Sequence, residues 1–155
     1  MKPVKEFLQP FVLYTDSSAT GFGAYLFCPD FSTRIVAGAW ANKCRALHIN
    51  VLELRAVRLS LGLLGLVNCS VFLFVDNTTA LSAILKTRSR SFPINSEVGG
   101  ILDYLVSANV FFVSVKYVSS GENPADYWSR LVTDPFERPR NYVVQMGGDR
   151  LNLEK

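Results

Sequence analysis

Along this chain the apolar positions change rhythm several times, and each change marks an element. Residues 11–15 read as a first strand, with Phe11-Val12-Leu13-Tyr14 leading to a turn at Ser17-Ser18-Ala19-Thr20-Gly21. Phe22 to Phe27 reads as a second strand and Arg34 to Trp40 as a third. Their short connections predict an antiparallel meander. From Asn50 the period becomes helical: Val51, Leu52, Leu54, Val57, Leu61 and Leu64 share one side, Arg55 and Arg58 another. Gly62 and Gly65 weaken that helix and would permit close packing on the sheet. Val71-Phe72-Leu73-Phe74-Val75 is unbroken apolar sequence, which predicts a strand buried on both faces. Asn77 or a neighbouring Thr caps a following helix through Leu85. Asn95 to Ser107 reads as helix, Val110 to Val118 as strand, and Pro124–Leu131 as a short helix whose proline suits the first turn.

The predicted order is β-β-β-α-β-α-α-β-α, an α/β chain with a five-stranded mixed sheet flanked by helices. Three antiparallel strands come first and two more follow. Residues 1–10 are then an N-terminal arm, 11–132 one domain, and 133–155 a tail or linker containing Pro135, Pro139 and Gly147-Gly148-Asp149. At 155 residues such a chain buries roughly 70% of its unfolded surface.

Charge changes this picture little, because 16 basic and 13 acidic residues leave a net +3. That is compatible with a polyanionic partner without indicating one. Cys28, Cys44 and Cys69 are odd in number, lack CxxC spacing and accompany a single histidine. They read as buried free thiols, with no zinc site and no disulfide framework. Met1-Lys2-Pro3-Val4-Lys5-Glu6 has no continuous apolar signal region, so the expectation is an intracellular protein, cytoplasmic or nuclear, rather than a secreted one. No segment reaches the ~20 apolar residues of a membrane span.

The chemistry lies in four acids. Asp16 and Asp76 end apolar strands, Glu53 sits one turn into a helix, and Asp126 opens the last helix. Strand ends and helix starts at one sheet edge can bring distant carboxylates together. Two of them about 5 Å apart repel by roughly 3 kcal/mol at an effective dielectric near 20. Divalent metal resolves that repulsion, and a pair of Mg²⁺ ions is an apparatus for phosphodiester cleavage. Taken singly, each acid also suits a cap or a turn.

The strings that carry these acids resemble a family. Thr15-Asp16-Ser17-Ser18-Ala19-Thr20-Gly21-Phe22-Gly23-Ala24 is similar to the first active-site strand and turn of ribonuclease H domains. His48-Ile49-Asn50-Val51-Leu52-Glu53-Leu54-Arg55 resembles their first helix, and Val75-Asp76-Asn77-Thr78-Thr79 their fourth strand and next helix. Gly121-Glu122-Asn123-Pro124-Ala125-Asp126-Tyr127-Trp128-Ser129-Arg130 is similar to the closing motif in reverse transcriptase polyproteins, closest in wording to DIRS-type retrotransposons and hepadnavirus polymerases. The resemblance runs from about residue 11 to 131. It implies a ribonuclease H-like fold and an endonuclease that hydrolyses the RNA strand of RNA–DNA hybrids during reverse transcription. It also implies two Mg²⁺ ions, with Mn²⁺ as a possible substitute, held by Asp16, Glu53, Asp76 and Asp126. A reverse transcriptase domain in the same polyprotein is the implied partner.

Substrate choice requires sensing a 2′-hydroxyl across a minor groove. Asn50, one turn before Glu53, is where the family commonly places an amide, although it could equally be the cap of its helix. Ser17, Ser18, Asn77 and Thr78 are further polar candidates, with capping and turn formation as the competing reading. Lys86, Arg88 and Arg90 could hold the DNA backbone or form a solvated loop. Many family members carry a histidine in the loop before the last aspartate, and Val118-Ser119-Ser120-Gly121-Glu122-Asn123 has none. His48 is on another segment and reads as structural. The alternative to an enzyme is a non-catalytic hybrid-binding or connecting domain of a polymerase with the same fold. Proofreading exonucleases and integrases order their acids differently.

Overall fold

The structure is a computed structural model that describes residues 9–130, 141–145 and 150–152. Strands β1 (Phe11–Ser17), β2 (Gly21–Phe27) and β3 (Thr33–Ala39) form the antiparallel meander. A short helix α1 (Asn42–Arg45) precedes α2 (Ile49–Leu63). Then come β4 (Cys69–Val75), α3 (Thr78–Lys86), α4 (Phe92–Ala108) and β5 (Val110–Tyr117). A single 3-10 turn, Ser120–Glu122, leads to α5 (Asp126–Ser129). β4 lies parallel to β1, and β5 lies parallel to β4.

The five expected strands are therefore present as a mixed sheet. Two more extend it: β6 (Asn141–Gln145) pairs antiparallel with β3, and β7 (Arg150–Asn152) with β6. The full order is β5-β4-β1-β2-β3-β6-β7. Both added strands come from the segment read as a tail.

One face of the sheet holds the core. Leu13, Leu26, Leu73, Leu54 and Leu61 are fully buried between the strands and α2. Burial of each such side chain contributes about 1.5–3 kcal/mol. α2 packs across β1 and β2 and against α4. Between α2 and α4, Arg55 and Arg58 both reach the buried Glu97, at 3.2 and 3.0 Å. Arg58 crosses Gly100 so closely that a Cβ there would lie 2.6 Å from its Cδ. Gly62 makes no comparably close approach, and Gly65 serves at the end of α2, where φ is +65°.

Four expectations are corrected. β4 is not buried on both faces: Val71, Leu73 and Val75 are buried, whereas Phe72 and Phe74 are half-buried on the other side. Among the described residues α2, α3 and α4 cover the first side, whereas on the second α5 seats over Gly23 and the stretch beside it is closed by rings. Phe74 stacks on Tyr14 at 4.8 Å, and Tyr14 meets Phe27 edge-on at 6.0 Å. α2 is capped by His48, whose Nδ1 accepts from the backbone N–H of Asn50 at 3.1 Å, so Asn50 is not the cap. α4 begins at Phe92 because Ser91 caps it and Pro93 fits its first turn. The three cysteines are free and half-buried rather than fully buried. No described helix is long and apolar enough to cross a membrane.

Candidate metal centre

Register places the first two acids. Tyr14 of β1 pairs with Phe74 of β4 in parallel, and each is followed two residues later by an aspartate. Period-two alternation then sets Asp16 and Asp76 level, on the same side, at adjacent strand ends. Asp126 arrives from the far end of the domain. The buried Asn123 carries it there: its Nδ2 donates to the Thr15 carbonyl at 3.0 Å, and its Oδ1 accepts from the Ala125 N–H at 2.9 Å. α5 then seats on Gly23, the partner of Asp16 in β2. A Cβ on Gly23 would lie 2.6 Å from the Ser129 nitrogen and 2.8 Å from the Ala125 oxygen.

Carboxylate oxygens of Asp16, Asp76 and Asp126 consequently lie within 4.8 Å of one another. Glu53 closes the site from α2. Its Oε1 accepts from the Ser17 N–H at 3.3 Å, and its Oε2 is buried without a partner. Burial first, and then the Asp76 charge, pushes Asp16 up to about 7 from an ordinary 3.8. Burial, followed by the charges of Asp16 and Asp76, pushes Glu53 up to about 10. Both shifts describe a cluster short of positive charge. Four hard oxygen donors, one of them orphaned, fit a divalent cation such as Mg²⁺.

Hydroxyls order the cluster. Ser129 Oγ lies 2.9 Å from Asp16 Oδ2 and 2.8 Å from the Asp126 carbonyl, and its one hydrogen serves one of them at a time. Ser120 Oγ donates to Asp76 Oδ2 at 3.3 Å, from the loop that lacks a histidine. Arg130 approaches Asp126 at 3.3 Å as an exposed pair.

The proposed substrate residues divide into three groups. Ser17 and Ser18, expected among the substrate contacts, are buried, and their hydroxyls are engaged inside the protein. Ser17 Oγ lies 3.1 Å from the Ser18 carbonyl and accepts from Trp40 Nε1 at 3.2 Å. Ser18 Oγ donates to the Ser129 carbonyl at 2.7 Å. Asn50 and Asn77 are half-buried beside the acids and bonded to each other at 2.8 Å. Thr78, Lys86, Arg88 and Arg90 line an open cavity of about 670 Å³, along with Thr79 and Ser82. Asn95 shapes its loop by bonding both the N–H and the carbonyl of Ser89. Lys86, Arg88 and Arg90 are exposed and form no ion pair among the described residues.

Sequence reasoning missed Asn123, Ser129 and Gly23 as site builders. Their signals were present: Asn123 and Ser129 flank Asp126 by three residues each, and Gly21 and Gly23 alternate along one strand face.

No family model and no curated protein sequence matches the chain. Solved structures do. RNase H1 from the halophilic archaeon Halobacterium salinarum NRC-1 matches with a TM-score of 0.63 and 14% identity, over 77% of this chain and 93% of its own. The N-terminal RNase H domain of Rv2228c from Mycobacterium tuberculosis matches with a TM-score of 0.63 and 16% identity, over 81% of this chain and 99% of its own. The chain therefore has the ribonuclease H fold.

Proposed function

We propose that this chain is a metal-dependent endoribonuclease that cuts the RNA strand of RNA–DNA hybrids during reverse transcription. The observation that carries the reading is the convergence of Asp16, Asp76 and Asp126 within 4.8 Å, beside the orphaned Glu53 oxygen. Asp16, Glu53, Asp76 and Asp126 would hold the metal. Bound Mg²⁺ or Mn²⁺ would stabilise charge on the scissile phosphate and lower the pKa of a nearby water. In the hydrolysis the water oxygen joins phosphorus and the P–O3′ bond breaks, leaving 3′-hydroxyl and 5′-phosphate ends.

The protein supplies position. Asn123 and the Gly23 contact hold Asp126 against β1. The Asn50 amide beside Glu53 would meet the hybrid's minor groove, and the cavity with Lys86, Arg88 and Arg90 would hold backbone phosphates. The Gly121–Arg130 string supports a retroelement or reverse-transcribing virus, with a polymerase domain in the same polyprotein adding affinity by linkage. Residues 11–132 would be the catalytic unit and the site of action intracellular.

The test is cleavage of a labelled hybrid with Mg²⁺ or Mn²⁺, alongside Asp76→Asn, duplex DNA and single-stranded RNA. RNA-strand cutting of the hybrid alone, abolished by EDTA and by the substitution, is expected. Hybrid binding without any cutting would replace this reading with the non-catalytic connecting module.

A further inference from the structure

The paired amides of Asn50 and Asn77 owe their orientation to a helix cap. α3 needs an acceptor for its unpaired N–H groups, and Asn77 Oδ1 provides one to Ala80 at 2.8 Å. An amide nitrogen cannot accept in its place. The cap therefore fixes which way the Asn77 amide faces, and its Nδ2 is turned toward α2. That Nδ2 lies 2.8 Å from Asn50 Oδ1. A donor facing Asn50 requires Asn50 to answer with its oxygen. The remaining group, Asn50 Nδ2, is thus left pointing away from Asn77, and it makes no hydrogen bond among the described residues.

We infer that Asn77 is a positioning residue that locks the Asn50 amide with its NH₂ toward the substrate, so that the site beside Glu53 presents a hydrogen-bond donor. A free asparagine could turn over and offer either group. The locked one rejects a nucleic acid that lacks an acceptor at that point. In a minor groove the acceptor is either a ribose 2′-oxygen or a base-edge atom, purine N3 or pyrimidine O2. The inference rests on the hybrid-cleaving reading above and specifies how that site discriminates.

The decisive experiment is a double-mutant cycle on the full chain. Wild type, Asn50→Ala, Asn77→Ser and the double variant are compared on hybrids carrying single 2′-deoxy substitutions or single 3-deazapurines. Serine still caps α3, so the thermal midpoint of Asn77→Ser should stay near that of wild type, and Asn77→Thr provides a second capping variant. For wild type, removing the acceptor at one nucleotide should lower kcat/KM by about 2- to 12-fold, the worth of one hydrogen bond. A 2′-deoxy penalty identifies the ribose as the acceptor, and a 3-deazapurine penalty identifies the base edge. Asn50→Ala and Asn77→Ser should both erase that penalty, and the double variant should be no worse than Asn50→Ala. If Asn77→Ser and Asn77→Thr keep the wild-type penalty, or if the two losses multiply in the double variant, the positioning role is wrong while hybrid cleavage stands. A wild-type chain that cuts no hybrid at all would remove the functional reading itself, and this inference with it.

Discussion

Ser129 shows how much one hydroxyl can decide. It is buried, belongs to the same helix as Asp126 and reaches across to Asp16, so it links acids that lie 110 residues apart in sequence. Groups that orient metal ligands typically matter 10- to 100-fold. Ser129→Ala should raise the half-saturating Mg²⁺ concentration by about that range, and Ser129→Thr should restore part of the loss. Metal titration of hybrid cleavage, with direct calorimetric binding, checks both. Protonation gives a second prediction at this scale. Asp16 at about 7 and Glu53 at about 10 hold protons in the native, metal-free protein that the unfolded chain has already released. Native binding of more protons means stability is fully present below the ordinary carboxyl range and is lost as pH rises through 7 toward 10. The thermal midpoint in EDTA should fall between pH 5 and 9, and Glu53→Gln should flatten that fall. Metal favours the ionised carboxylates, so Mg²⁺ affinity should rise over the same window with proton release.

At the scale of elements, α5 has only four residues and is too short to be stable alone. It forms where the Asn123 bonds and the bare backbone at Gly23 let it dock. Gly23→Ala would place a methyl 2.6 Å from the Ser129 nitrogen and 2.7 Å from the Trp128 Cβ. Overpacking of this kind costs about 1–3 kcal/mol. The larger effect should be on activity, because the displaced helix carries Asp126. Thermal melts and hybrid-cleavage rates on the same variant should show cleavage lost while the protein still folds. Most elements were legible in advance because their periods are strong, as in Val51–Leu64 and Val71–Val75. The start of α4 was not, because a proline in the first turn reads as a break until its cap, Ser91, is seen to accept the Ile94 N–H.

At the scale of the whole molecule, opposite charges are separated. Acids gather at the ends of β1 and β4, while Lys86, Arg88 and Arg90, which form no ion pair among the described residues, surround a cavity at the α3–α4 connection. A net charge of +3 conceals this. Replacing all three cations by alanine should weaken hybrid binding chiefly through KM. It should also reduce the slope of log affinity against log salt by about one for each phosphate no longer neutralised. Binding isotherms at three or more salt concentrations, compared with wild type, measure that slope. An unchanged slope would assign the loop to solvent.

By itself the sequence determined what local physics can write: strand and helix periods, the turns between them, and four acids at element ends. Those patterns are legible because alternation and 3.6-residue spacing follow directly from backbone geometry. The tertiary structure decided which groups remain free to act. Ser17 and Ser18 look available in sequence, yet the packing of Trp40 and Ser129 consumes their hydroxyls. Asn50 looks like a cap, yet His48 takes that role and leaves its amide to Asn77. Hydrogen-bond partners drawn from distant segments are fixed only when strand register and helix docking bring them within about 3 Å, and no local pattern encodes that distance.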